Sequence, residues 1–70
     1  MHEREFEVNG DFIELCKLLK VCGLCESGGA SKTAIKSSLV KVDGIIETRR
    51  GRKIRRGQTV SFNGKSIKVL

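Results

Sequence analysis

Val40-Lys41-Val42-Asp43-Gly44-Ile45-Ile46-Glu47 is the stretch in which the apolar period of the chain changes from 3.6 to 2. Val40 and Val42 alternate with Lys41, and Asp43-Gly44 is among the strongest short hairpin signals, because a two-residue turn matching strand twist needs positive φ at both central residues. The spacing therefore predicts strand, tight turn and strand. Apolar residues upstream recur at helical spacing, and those downstream alternate again. A first strand, two helices and then four short strands predict an α+β fold: two packed helices beside a small, mainly antiparallel sheet of short strands.

Immediately upstream, Ala30, Ala34, Ile35 and Leu39 give one apolar side to a helix expected from about Gly29 to Ser38. Ser27 is its candidate cap. Gly28 and Gly29 are a poor first turn, each about 1 kcal/mol worse than alanine. They suit either close approach of a backbone or phosphate to the helix end, or close helix packing. Lys32 and Lys36, four residues apart, share a face away from Ala34; they form a solvated face or a pair whose repulsion a phosphate would relieve. Further upstream, Phe12, Leu15, Cys16, Leu19 and Cys22 fall on one face of a helix expected from Phe12 to Val21, with Lys17 and Lys20 opposite. Asp11 with Glu14 reads as a capping box, and Gly23 as the C-terminal stop. Arg4 to Val8 alternate and predict a short strand that Asn9-Gly10 breaks.

Downstream of the hairpin comes Arg49-Arg50-Gly51-Arg52-Lys53-Ile54-Arg55-Arg56, in which six of eight residues are cationic and none acidic. Five of the six are arginine, whose planar fork binds phosphate bidentately. An extended loop is expected here. A solvated run kept for solubility is the plain alternative, but such a run can mix signs, and this one has a single sign. Thr59 to Phe62, Asn63-Gly64 and Lys65 to Leu70 then predict a second hairpin, with Val60 opposite Ile67 and with Val60, Phe62, Ile67 and Val69 on one buried face.

Seventy residues make one domain, 1–70, with an N-terminal strand and turn over 1–10 and the core over 11–70. A chain of this size buries only about 60% of its unfolded surface, which leaves little room for a deep pocket. Residues 1–26 carry three basic and six acidic side chains, net −3; residues 27–70 carry eleven and two, net +9; together they make the +6 of the chain. The partner-facing surface therefore belongs to the later part. Phe6, Phe12 and Phe62 are the only aromatics, which favours reading phosphates and helix shape over stacking bases on an aromatic platform. No apolar run approaches the ~20 residues of a membrane span, the first residues do not resemble a signal peptide, and no basic amphipathic helix is expected, so a cytoplasmic protein that does not bind membrane is expected.

Cys22-Gly23-Leu24-Cys25 is a C-x-x-C, but Cys22 falls at the end of a helix, where the dipole disfavours a thiolate. Cys16, Cys22, Cys25 and remote His2 are a poor zinc set. Packing is the expected role of the thiols, and no metal or cofactor is expected. A lone His2 is a poor general base, and Asp11 with Glu14 is better explained as a cap than as a catalytic pair.

Leu15 and Leu19 in the first helix, Ser27-Gly28-Gly29-Ala30-Ser31-Lys32 opening the second, Val40-Lys41-Val42-Asp43-Gly44, and Glu47-Thr48-Arg49-Arg50-Gly51-Arg52-Lys53 followed by Gly57-Gln58 together resemble the alpha-L RNA-binding motif of S4-type domains. The likeness covers roughly residues 11–70 and is strongest to the small stand-alone bacterial members of the YbcJ type. The chain departs from the pattern at Ser38, where glycine is usual, at Asp43, where asparagine is frequent, and at Gln58, where an acidic residue is common. The resemblance implies that the second helix and the loop entering the sheet face RNA. By position that implicates Ser27, Lys32, Lys36, Lys41, Arg49, Arg50, Arg52 and Lys53; charge alone adds Arg55 and Arg56. It also implies structured RNA, ribosomal or transfer, as partner, in the setting of the ribosome or an RNA-processing complex, and no catalysis. The expected function is thus non-catalytic RNA binding. The reading from another class is a protein-interaction adaptor whose basic loop docks an acidic partner.

Overall fold

The computed structural model describes residues 2–70, with side chains from Arg4 onward; expectations that touch Met1 or the His2 imidazole fall outside it. The period change at Val40 is the boundary between helices and sheet. Strands β1 (His2–Phe6) and β2 (Ile13–Glu14) precede helices α1 (Leu15–Val21) and α2 (Gly28–Lys36); β3 (Val40–Val42), β4 (Ile45–Ile46), β5 (Lys53–Ile54), β6 (Thr59–Phe62) and β7 (Lys65–Val69) follow.

Both hairpins form as their sequences require. Asp43 and Gly44 take φ of 53° and 82°, Asn63 and Gly64 take 53° and 77°, the positive values that a two-residue turn demands. Val60 pairs with Ile67, and Val60, Ile67 and Val69 are fully buried while Phe62 stays half-buried. The main sheet runs β1-β7-β6-β3-β4. It is antiparallel except where β1 joins β7 in parallel. The first strand lies over His2–Phe6, ahead of the expected 4–8. Val40, Val42, Val60, Ile67 and Val69 pack against Leu15, Leu18, Leu19, Ala34 and Ile35 of the helices, with Ile54 in the same core. Burial of each valine, leucine or isoleucine side chain among these contributes about 1.5–3 kcal/mol.

Helix α1 departs from expectation. It begins at Leu15, not Phe12, and Glu14 at its cap position makes no side-chain capping bond. Ile13 and Glu14 are instead strand β2, paired with β5 in a separate two-stranded ribbon. The N–H groups of Leu15 and Cys16 donate to the carbonyls of Arg52 (2.9 Å) and Arg50 (3.2 Å). Backbone acceptors from the basic stretch take the role expected of Asp11, so the capping box is not formed. The buried face becomes Leu15, Leu18 and Leu19; Phe12 turns outward and is 39% exposed.

Helix α2 keeps its predicted cap, with Ser27 Oγ accepting from the Ala30 N–H at 3.1 Å. Its inward residues are Ser31, Ala34 and Ile35, whereas Ala30 and Leu39, expected on the apolar side, are exposed. Ser31 tolerates burial because its hydroxyl donates to the Ser27 carbonyl at 3.1 Å. Both helices end alike. After α1, the N–H groups of Gly23 and Leu24 return to the carbonyls of Lys20 and Leu19; after α2, those of Ser38 and Leu39 return to Ile35 and Ala34. This closure needs a left-handed residue. Gly23 adopts φ 75° freely, but Ser38 is held at 63°, a conformation that strains a side-chain-bearing residue and not glycine. Ser38→Gly is therefore expected to raise stability by about 0.5–1 kcal/mol, measured as a higher urea midpoint at unchanged m-value.

Candidate nucleic-acid interface

The basic stretch is built up from Glu47. The Glu47 N–H donates to Val40 at 3.0 Å, extending the hairpin by one bond. Its side chain turns inward and is 9% exposed. The carboxylate accepts from the Arg49 N–H (3.0 Å), Arg49 Nε (3.1 Å), Arg49 Nη2 (3.4 Å) and Arg52 Nη1 (2.7 Å). The Arg49 side-chain bonds, then its backbone bond, hold the carboxyl down to about 2, with Arg52 adding to them and burial opposing. The Arg52 N–H closes a turn on the Arg49 carbonyl. The Arg50 and Arg52 carbonyls then reach α1 as described, β5 pairs with β2, and Ile54 is fully buried. Beyond it, Gln58 Oε1 accepts from the Arg55 N–H at 2.8 Å, and the Gly57 N–H donates to Val69 at 2.8 Å. The expected extended loop is thus a tethered segment with a short strand inside it.

Backbone bonding turned inward leaves the cations outside. Arg49, Gly51, Arg52, Lys53, Arg55 and Gln58 line an open groove of about 620 Å³. Arg49 is 73% exposed and Arg52 33% exposed even while bonded to Glu47. Among the described residues, Arg50, Lys53, Arg55 and Arg56 have no carboxylate within 4.0 Å. Arg56 faces a separate depression with Glu7, Val8, Asn9 and Gly10. Phe12 lies beside the groove, 4.9 Å from Lys53 Nζ and 6.0 Å from the Arg55 guanidinium carbon.

Cys16 joins the start of α2 to this surface. Its N–H bonds Arg50, and its thiol donates to the Gly28 carbonyl at 3.7 Å. Cys16 therefore bridges the start of α2 and the basic segment at the foot of α1. Lys32 and Lys36 continue along α2 as exposed side chains one turn apart. Lys41 is not gathered with them. It lies between the buried Val40 and Val42, so it points from the sheet face opposite the helices, paired with Ile46 and Ser61. Sequence reasoning missed Phe12 and Glu47 as parts of this surface. The signal for Glu47 was present, as the lone acid leading a run of six cations; Phe12 could be placed only by the β2–β5 pairing.

Cys22 closes α1, and Arg4 donates to its carbonyl. Burial pushes the Cys22 thiol up, partly opposed by Arg4, which lowers its thiolate fraction. Cys25 is buried. Among the described residues no group of three or more His, Cys, Asp or Glu side chains could hold a metal ion, and no helix is long and apolar enough to cross a membrane.

The S4 domain family matches residues 6–70, and the chain belongs to that family. Its architecture is the alpha-L motif. Particular relatives are YbcJ of Escherichia coli (strain K12) and YbcJ of Shigella flexneri, each 55% identical over 58 residues that cover 83% of either chain. The solution structure of E. coli YbcJ, described as an alpha-L motif involved in RNA binding, matches the whole chain and 87% of its own length, with a TM-score of 0.68 at 47% identity.

Because Glu47 titrates lower when folded, its contribution is complete above about pH 4.5 and is lost as pH falls through about 2. Glu47→Gln is expected to cost about 1–2 kcal/mol at neutral pH. In urea melts over a pH series, the gap to the unsubstituted chain should close between pH 4.5 and 2; a gap independent of pH contradicts the carboxylate's role.

Proposed function

We propose that this chain binds structured RNA, ribosomal or transfer, without catalysing a reaction on it. The observation that carries the reading is the tethering of Arg49–Arg56: inward backbone bonds and one buried carboxylate fix a cationic groove in shape. A phosphate backbone meeting it loses little further chain entropy and releases its counterions. Arg49, Arg50, Arg52, Lys53 and Arg55 are the principal phosphate-binding side chains in this reading. Ser27 adds the start of α2, and Lys32 and Lys36 extend the track. Arg56 and Lys41, on other faces, add long-range attraction rather than direct bonds to the same phosphates. Shape, more than base edges, would select the RNA. The description of E. coli YbcJ as an RNA-binding motif supports the reading. In it the protein works in the cytoplasm, on the ribosome or within an RNA-processing complex.

The test is fluorescence anisotropy with a structured RNA hairpin over a salt series, comparing the chain with an Arg50→Gln, Lys53→Gln, Arg55→Gln triple variant. These three positions leave the Glu47 cluster intact. Affinity should fall steeply with salt, and the log–log slope should flatten by about 0.7–0.9 for every phosphate that the variant no longer neutralises. Equal binding by both proteins, or none by either, overturns the proposal. Competition by an acidic protein surface but not by RNA would then favour an adaptor.

A further inference from the structure

The ribbon formed by β2 and β5 has two dissimilar rows on its outer face. The pairs are Ile13 with Ile54 and Glu14 with Lys53, and continuing that register sets Phe12 across from Arg55. Ile54 is fully buried and Ile13 half-buried; Phe12, Glu14, Lys53 and Arg55 are all exposed. The β5 row is therefore cationic. The β2 row is an aromatic ring followed by a carboxylate. Phe12 is the one exposed aromatic among the described residues, 39% exposed, whereas Phe6 and Phe62 are half-buried. Lys53 Nζ lies 4.9 Å and the Arg55 guanidinium 6.0 Å from its ring centre. Both are at cation–π distance.

An unpaired nucleotide has the same two-part character, an anionic phosphate joined to a flat, neutral base. We propose that this ribbon is a nucleotide site: the base of an extrahelical residue in a structured RNA stacks on Phe12, while its flanking phosphates lie on Lys53 and Arg55. Glu14 reinforces the polarity, since it repels phosphate from the β2 row and leaves that row to the base. Because every base has a π face, the site takes a bulged or looped-out nucleotide with little regard to its identity. The proposal rests on the RNA-binding reading and adds to it a feature that shape and charge alone do not supply: recognition of an irregularity in the duplex.

Three RNA hairpins identical but for one position provide the test: fully paired, with a one-nucleotide bulge, and with the same bulge abasic. Anisotropy titrations are run with the intact chain, Phe12→Leu and Phe12→Trp. The intact chain and Phe12→Trp should prefer the base-bearing bulge over the abasic one by about tenfold, within the range for base–aromatic stacking. Phe12→Leu should bring that ratio close to one. An intact chain that binds all three hairpins equally overturns the nucleotide site and leaves RNA binding standing. A Phe12→Leu variant that weakens every hairpin equally overturns it too, and makes Phe12 a spacer for Lys53 and Arg55. Binding to none of the hairpins sinks the RNA reading and the site with it.

Discussion

The first N–H groups of α1 have no acceptor within the helix, and in this chain the carbonyls of Arg52 and Arg50 supply one. Much of the molecule hangs on that pair of bonds. They place the foot of α1 against the basic segment, which lets Ile13–Glu14 pair with Lys53–Ile54 and drives Ile54 into the core. They also turn the segment's backbone inward, which turns its cationic side chains outward. The same residues thus complete a helix and form the charged surface, through different atoms.

Crowding six cations into eight residues carries an electrostatic cost. Glu47 offsets part of it at the most constrained place, where Arg49 and Arg52 would otherwise face each other across a turn. Its carboxylate leaves other guanidinium hydrogens free, so both arginines keep donors for an anion. The remaining repulsion belongs to the groove and to exposed Arg50, and an anionic partner relieves it. In the proposed RNA complex, charge that slightly disfavours the free protein would favour binding, which would also gain from chain order set in advance.

Both hairpins, the α2 cap, the register of the second hairpin and the α+β class were legible because each rests on local chemistry: positive-φ turn pairs, a serine before a helix, and alternation with period 2. The start of α1 was not. Asp11 and Glu14 fit a capping box locally, but the pairing of Ile13–Glu14 with Lys53–Ile54 joins distant segments, and it displaced the cap. Phe12 fell on the predicted apolar face for the same reason and emerged beside Lys53 and Arg55. The cations of the candidate site were legible from charge alone. Their arrangement was not, since Glu47 as organiser and Lys41 on the far sheet face depend on how the hairpin sits. Leu39 read as an apolar-side residue because period alone cannot tell that α2 stops at Lys36; Ala30 lies within the helix, but the inward face is set by Ser31, Ala34 and Ile35.

The most direct measurement is an amide chemical-shift map of the protein titrated with a structured RNA hairpin. The account predicts that shifts concentrate on Arg49 to Arg55, on Phe12 to Cys16, whose amides share bonds and register with that segment, and on Ser27 to Gly29 at the start of α2. Shifts confined to the sheet face carrying Lys41, Ser61 and Ser66, with the basic segment unmoved, would contradict it.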